Sequence, residues 1–169
     1  MGLLHMFDSR NRPDTAALLN IYRDSIAEKA SRYTGISSGY DRLRMAEEGF
    51  LDYLNTVFFR VQSARYYVWA EDGIYTAALR VEPFKDGLLL SALETAPALR
   101  KHGYGKKLVD SLIYLLRGTE SLPLYSHIRN SNTVSKHLHL ICGFQKVSDC
   151  AVLLDGTVTS DYATYCVKK

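Results

Sequence analysis

The sequence predicts a mixed α/β fold in a single domain, and three observations carry that prediction. Segments with helical periodicity alternate with segments rich in β-branched and aromatic residues. Hairpin signals such as Asp72-Gly73 stand beside strand–helix–strand stretches, which indicates a sheet with both antiparallel and parallel pairs. The 169 residues contain no repeat, low-complexity tract or linker, so residues 1–169 are predicted to form one domain.

The first third of the chain predicts a strand and two helices. Gly2–Phe7 is short and apolar and is predicted as a strand. Pro13-Asp14 predicts the first turn of a helix that continues to about residue 29. Glycine and serine residues make 31–41 a predicted loop, and a second helix is predicted at 42–58. The apolar residues that share one face of this second helix are Leu43, Phe50, Leu54 and Val57.

The rest of the chain returns repeatedly to β-type patterns. The elements predicted there are strands at 66–70, 74–81 and 88–94, a helix at 103–117, a strand at 122–128, a helix at 132–142, and strands at 144–154 and 160–167, the last two joined through Asp155-Gly156. One side of the helix at 103–117 carries Leu108, Leu112 and either Leu115 or Leu116. The predicted order is therefore β-α-α-β-β-β-α-β-α-β-β.

Composition and charge exclude several classes of protein. A net charge of +3 is too small to require nucleic acid as a partner. No apolar run reaches the roughly 18 residues of a membrane span, and residues 1–14 hold no cleavable apolar segment, so we expect a cytoplasmic protein. Cys142, Cys150 and Cys166 fit no zinc spacing; we expect reduced thiols and no metal site.

The most informative stretch is a glycine loop between a predicted strand and a predicted helix. Gly103 and Gly105 let a ligand approach the backbone, and the amide groups at a helix start bind phosphate. The basic residues in and beside this loop are Arg100, Lys101, His102, Lys106 and Lys107. Such a cluster suits a multiply charged anion, although the same glycines could instead only relieve a tight turn.

Two common phosphate motifs do not fit this loop. A dinucleotide fingerprint requires a third glycine where the chain has Leu108. A P-loop requires glycine at the position of Arg100 and serine or threonine at the position of Lys107. Both of these motifs are therefore excluded.

The remaining pattern, P-x-x-R-x-x-G-x-G, resembles the coenzyme A loop of the GNAT superfamily of N-acyltransferases. A second family signature, N-x-x-A-x-x-x-Y-x-x-x-G-F, matches at Asn132, Gly143 and Phe144. Ser135 replaces its alanine, and His139 replaces its tyrosine. Within residues 88–147 the resemblance rests on motifs; for the rest of the chain it rests only on the order of helices and strands. Two motifs in the correct order are more specific than one.

This resemblance implies a mostly antiparallel central sheet flanked by helices. It implies an N-acetyltransferase that moves an acetyl group from acetyl-CoA to a primary amine, on a small molecule or a peptide, by direct attack in a ternary complex. The loop amides would hold the pyrophosphate. The residues implied to bind the coenzyme are Leu93, Thr95, Arg100, Lys101, His102, Gly103, Tyr104, Gly105, Lys106, Asn132 and Ser135.

Three side chains are candidates for the proton transfers that acyl transfer to an amine requires. Glu94 is the candidate base, acting directly or through water; alternatively it faces away and pairs with a surface cation. His139 would replace the family tyrosine as proton donor to the leaving thiolate, or lie on a helix surface. His127 is a reserve base, or a hydrogen-bonded histidine at a strand end. Cys142 is expected to pack in the core.

Two other classes of function compete with this interpretation. A GNAT fold could bind acyl-CoA without turnover; the histidine at position 139 favours that alternative, as would the lack of an acid on the strand if Glu94 faces away. A nucleic-acid binder would need a broad basic face, whereas the basic residues between Arg100 and Lys107 are confined to one loop. Sheet edges near the C-terminus could pair two chains into a homodimer.

Overall fold

The computed structural model describes residues 2–118 and 123–168. Its strands are β1 (Gly2–Phe7), β2 (Arg65–Glu71), β3 (Ile74–Phe84), β4 (Gly87–Thr95), β5 (Leu124–Arg129), β6 (Gln145–Ser148), β7 (Ala151–Val152), β8 (Val158–Thr159) and β9 (Tyr162–Val167). Its helices are α1 (Thr15–Ile21), α2 (Arg23–Ser31), α3 (Gly39–Thr56), α4 (Tyr104–Arg117) and α5 (Thr133–Ile141), with 3₁₀ turns at Phe58–Arg60 and Pro97–Leu99. No helix in these residues is long and apolar enough to cross a membrane.

Seven of these strands form one sheet in the order β1-β2-β3-β4-β5-β9-β6. Neighbouring strands pair antiparallel except β4 and β5, which are parallel because α4 crosses between them. The predicted mixed, mostly antiparallel sheet flanked by helices is confirmed. β7 and β8 form a separate hairpin.

Each face of the sheet is covered by helices over its own core. On one face α4 and the residues after α5 pack against the sheet around Leu108, Leu112 and Phe144. On the other face α1, α2 and α3 pack around Leu18 and Tyr66. A sheet buried on both faces needs apolar residues at successive positions, which β3 supplies at 77–79.

The N-terminal helices differ from their predicted bounds. The first predicted helix is two helices, α1 and α2, separated at Tyr22. Asp14 is the N-cap of α1 rather than part of its first turn, since its side chain accepts a hydrogen bond from the Ala17 amide at 2.9 Å. α3 begins at Gly39, earlier than predicted. Of the four residues predicted to share one apolar face, Leu54 is buried, whereas Leu43 and Val57 are 36% and 51% exposed, and Val57 follows the end of α3.

The C-terminal strands also differ from the prediction. The strand predicted at 144–154 is wrong as one element, because the chain leaves the sheet after β6 and forms β7 in the small hairpin. Asp155-Gly156 therefore turns between β7 and β8 rather than between two strands of the main sheet. Leu122, the predicted first residue of β5, lies outside the described residues.

Candidate active site

The central feature of the site is a gap between the parallel strands β4 and β5. In the described residues their pairing stops at Leu90 with Ser126, although both strands continue. Beyond this point the register of β4 against β3 shifts, and Ala92 adopts a φ of +49°. A bulge of this kind bends a strand away from its neighbour. The two strands therefore diverge toward their C-terminal ends.

Tyr22 fixes this bulge from the side of the N-terminal helices. Its hydroxyl donates a 2.7 Å hydrogen bond to the carbonyl of Ala92, and the side chain is only 3% exposed. Burial raises the pKa of Tyr22 well above its ordinary value, so the hydroxyl keeps the proton that it donates. The break between α1 and α2 lies at this same tyrosine.

The gap opens into a cavity of about 680 Å³. Residues of α2, β4, β5 and α5 form its walls, with Tyr162 of β9. The wall residues that had been predicted as site residues are Leu93, His127, Asn132, Ser135 and His139. α2 contributes Ser25, Glu28 and Lys29 to the wall, and Arg32 follows its last residue; no sequence motif identified Ser25 or Lys29 as site residues.

The glycine loop lies beyond the end of β4, where α4 begins. Gly103 is the residue before α4, its φ is +78°, and a Cβ there would meet no atom within 4 Å. The first intrahelical bond runs from the Lys107 amide to the Gly103 carbonyl, and no side chain caps the helix. The amides of Tyr104, Gly105 and Lys106 therefore lack helical acceptors and carry the positive end of the helix dipole.

Gly105 holds this helix start close to its neighbours. A Cβ on Gly105 would lie 3.3 Å from both Leu138 Cδ1 and Thr95 Oγ1. A side chain at Gly105 would therefore crowd these neighbours, whereas a side chain at Gly103 would strain the backbone. His102 is bound within the loop, since its Nδ1 lies 2.9 Å from the Arg100 carbonyl, and its ring stacks on Tyr104.

Most of the predicted loop cations already have carboxylate partners. The Arg100 guanidinium lies 2.6 Å from Asp24 of α2, Lys106 Nζ lies 2.5 Å from Asp110, and Lys107 lies 3.9 Å from Glu71. Exposed pairs of this kind contribute little to stability. In the part of the chain that the structure describes, Lys101 is the cation of this group without a carboxylate partner.

Glu94 is half-buried at the end of β4 and turns toward α2. Its carboxylate accepts a hydrogen bond from the Ser25 hydroxyl, and Ser25 lines the gap. Burial raises the pKa of Glu94, while the Ser25 hydrogen bond and Arg100 oppose that shift. Glu94 therefore connects to the cavity through Ser25.

The start of α5 positions Asn132, Ser135 and His139 on one wall of the cavity. Asn132 caps the helix by accepting a 2.9 Å hydrogen bond from the Ser135 amide. His139 is only 1% exposed, and its Nδ1 donates to the Ser135 carbonyl at 2.8 Å. Burial lowers its pKa and so favours the neutral ring, and because the Ser135 carbonyl can only accept, that ring carries its proton on Nδ1. Its Nε2 is buried and finds no partner in the described residues.

His127 lies on the opposite wall, with both ring nitrogens in contact with neighbours. Nε2 lies 3.0 Å from the Val152 carbonyl, and Nδ1 lies 3.1 Å from Thr164 Oγ1. The ring also stands edge-on to Phe84. Burial lowers the pKa of His127, with the Val152 bond opposing the shift. These contacts tie the small β7–β8 hairpin to the wall of the gap.

Two further observations concern metal and thiol chemistry. The described residues contain no group of three or more His, Cys, Asp or Glu side chains able to hold a metal ion. Cys142 is buried at the end of α5, and burial raises the pKa of its thiol to about 12. A thiol with so high a pKa is a poor nucleophile.

Comparison with protein families defines the class of protein as an acetyltransferase. Residues 23–144 match the family model described as the acetyltransferase (GNAT) family. Because this match covers more than half of the sequence, the chain belongs to the GNAT family. A search of curated protein sequences gave no significant match.

Solved structures share this fold at low sequence identity. The PaiA N-acetyltransferase of Thermoplasma acidophilum, in complex with coenzyme A, is 12% identical with a TM-score of 0.65, over 100% of this chain and 99% of that one. The ribosomal-protein-alanine N-acetyltransferase of Brucella melitensis is 20% identical with a TM-score of 0.62, over 99% of each chain. An N-acetyltransferase of Staphylococcus aureus Mu50 is 18% identical with a TM-score of 0.61, over 99% and 98%.

Proposed function

We propose that this protein transfers the acetyl group of acetyl-CoA to a primary amine, by direct attack within a ternary complex. The observation that carries the proposal is that the uncapped start of α4 follows β4, the strand that separates from β5 to form the gap. A phosphate-binding end and a narrow gap suit a long donor that is anionic at one end and reactive at the other. Family membership supports the same reaction class.

The residues around the gap fit coenzyme A. We assign its pyrophosphate to the amides of 103–106, where Gly103 leaves open space above the backbone. Lys101 adds a charge that no carboxylate of the described chain neutralises. Arg100, held by Asp24, ties the loop to α2. The other residues assigned to the coenzyme are Leu93, Thr95, His102, Tyr104, Asn132 and Ser135. Acetyl-CoA supplies the acetyl thioester.

Glu94 is the proposed base, and Ser25 connects it to the gap. The amine nitrogen must be neutral to attack the thioester carbonyl carbon, so that the C–N bond forms and the C–S bond breaks. Ser25 donates its proton to Glu94 and can accept one from the amine through its oxygen lone pairs. The raised pKa of Glu94 brings it nearer the value that a base needs at neutral pH.

His139 was expected to give a proton to the departing thiolate, and its surroundings weigh against that role. Its neutral ring holds its proton on Nδ1, where the Ser135 carbonyl accepts it. Its lowered pKa places any His139-dependent change in kcat on the acid side of about 6.5, the ordinary imidazole value. We propose instead that Nε2 accepts a hydrogen bond and that the thiolate takes its proton from the amine through water.

The alternative, a protein that binds the coenzyme without turnover, rests on Glu94 and His139. Glu94 reaches the cavity only through Ser25, and His139 lacks a proton at Nε2. Release of free coenzyme A from acetyl-CoA in the presence of a panel of amines distinguishes an enzyme from a binding protein. Binding without release in every case would support the alternative.

The first prediction tests the glycine loop. Gly103→Val places a branched side chain over the amides and should abolish acetyl-CoA binding, measured by titration calorimetry. Gly73→Val is the matched control, because Gly73 has a φ of +79° and a Cβ there would likewise meet no atom within 4 Å. Both variants carry the same backbone strain, so the control should lose similar stability but bind acetyl-CoA as the wild type does. If Gly103→Val binds acetyl-CoA with wild-type affinity, the assignment of the pyrophosphate to this loop is wrong.

A further inference from the structure

A second chamber, of about 410 Å³, adjoins the gap on the sheet face covered by α3. Its walls come from α3, β3, β4, the β7–β8 hairpin and β9. It shares Leu90, Ser91, His127 and Tyr162 with the gap cavity, so the two spaces meet where β4 and β5 separate. A volume of this size suits a small molecule.

The chamber contains a buried carboxylate without a partner. Glu82 of β3 is 7% exposed, and no residue of the described chain forms a hydrogen bond or an ion pair with it. The nearby Arg80 guanidinium lies over the rings of Tyr53, at 4.9 Å, and Phe58, at 5.7 Å. Burial raises the pKa of Glu82, and Arg80 only opposes that shift from a distance. Arg80 lines the same chamber but forms no ion pair with Glu82, so this carboxylate stays available to a cation that enters the chamber.

We propose that this chamber binds the acceptor and that Glu82 holds a second positively charged group on it, so that the preferred acceptors are short alkyl diamines. This inference rests on the proposed function, since it takes the gap as the place where the acetyl group is transferred. It deepens that function by naming the class of acceptor.

The spacing along the sheet agrees with a diamine of moderate length. Glu82 pairs with Leu89 of β4, and the strands separate after Leu90. The amine of the acceptor that reacts would therefore lie two to three strand residues from Glu82, or about 7–10 Å at the rise of a β-strand. One amine can reach the gap while the other contacts Glu82.

The remaining walls suit the alkyl part of such a molecule. Leu89 and Leu153 supply apolar surface for methylene groups. The rings of Tyr53 and Tyr162 also line the chamber, each with an arginine already over one face: Arg80 over Tyr53 and Arg129 over Tyr162. Asp155 adds a second negative charge at the hairpin, where its carboxylate accepts a hydrogen bond from the Thr157 amide at 2.9 Å. An amine that carries a carboxylate in place of its second ammonium would meet repulsion from Glu82.

The test compares acceptors that differ only in the second charge. Acetyl-CoA turnover is measured with putrescine and cadaverine and with the matched monoamines butylamine and pentylamine. The wild type should show a kcat/KM at least about tenfold higher for each diamine. Glu82→Gln keeps the shape of the side chain and should remove that preference while leaving the monoamines within about twofold. Glu48→Gln is the control, because it removes an exposed glutamate of α3 that pairs with Arg44.

The outcomes separate this inference from the proposed function. Failure of the wild type to bind acetyl-CoA overturns the proposed function; calorimetric titration of putrescine into wild type and Glu82→Gln then tests the chamber alone. Normal acetyl-CoA binding with no diamine preference, or a preference that survives in Glu82→Gln, overturns the assignment of Glu82. If Glu48→Gln also loses the preference for diamines, the effect is one of overall charge, and the assignment of Glu82 is overturned.

Discussion

His139 stands where the signature that this sequence resembles has a tyrosine, and its chemistry differs from that of a tyrosine. A tyrosine in that position offers an O–H donor. The imidazole is instead fixed by the Ser135 carbonyl, so its free nitrogen is an acceptor. Its contact with Phe144, at 4.9 Å between ring centroids, helps to bury it. The sequence spacing predicted that this residue lies at the gap, but the direction of its hydrogen bonds depends on the helix that carries it.

The buried state of His139 predicts a pH dependence of stability. Its folded pKa lies below the unfolded value of about 6.5, so the unfolded chain binds the extra proton first as pH falls. The stabilising effect of the neutral ring is complete above about pH 6.5 and is lost as pH drops toward the folded pKa. His139→Gln should therefore reduce the loss of unfolding free energy between about pH 7.5 and pH 5, measured in urea.

The control for this prediction lies on the same helix. His137 is exposed, so His137→Gln should leave the pH dependence as it is in the wild type. Equal pH dependence in His139→Gln and the wild type would mean that the buried ring does not control acid stability.

At the scale of elements, the bulge in β4 depends on a contact from α1 and α2. Tyr22→Phe removes the hydroxyl that binds the Ala92 carbonyl and leaves that carbonyl without its partner. We expect a loss of about 1 kcal/mol in the free energy of unfolding, measured by urea denaturation. We also expect weaker acetyl-CoA binding in calorimetry, because the bulge sets the width of the gap.

Tyr114→Phe controls for the loss of a hydroxyl, since Tyr114 is 83% exposed on α4. It should change neither stability nor binding. A Tyr22→Phe variant that is destabilised but binds acetyl-CoA normally would show that the bulge holds its shape without this bond.

The sequence predicted those features that depend on residues close together in the chain. The order of elements and the glycine loop follow from periodicity, turn residues and two motifs, all of which lie within short stretches of chain. The bulge at Ala92 could not be predicted, because the hydroxyl that holds it is 70 residues away. Glu82 was missed for a similar reason: only the folded hairpin β7–β8 and α3 enclose it. Leu43 and Val57 have the spacing of an apolar helix face, but only part of that face of α3 is buried in the fold.

At the scale of the whole molecule, the sheet separates two cores, and the gap lies where the sheet itself divides. α4 belongs to one core, around Leu108 and Leu112, while α2 belongs to the other, around Ile26. The Arg100–Asp24 pair connects the glycine loop to α2. The proposed coenzyme site therefore depends on both cores, although each packs on its own face.

The packing of α4 supplies the last prediction, because the sequence left two leucines as alternatives for its buried face. Leu116 is 5% exposed and Leu115 is 42% exposed, so the buried stripe runs through Leu112 and Leu116. Leu112→Ala should lower the free energy of unfolding by about 2–5 kcal/mol, since it leaves a cavity in a closed core. Leu115→Ala removes the same atoms from a half-exposed position and should cost less than about 1 kcal/mol. Urea denaturation of both variants measures the difference, and equal losses would contradict this assignment of the buried face.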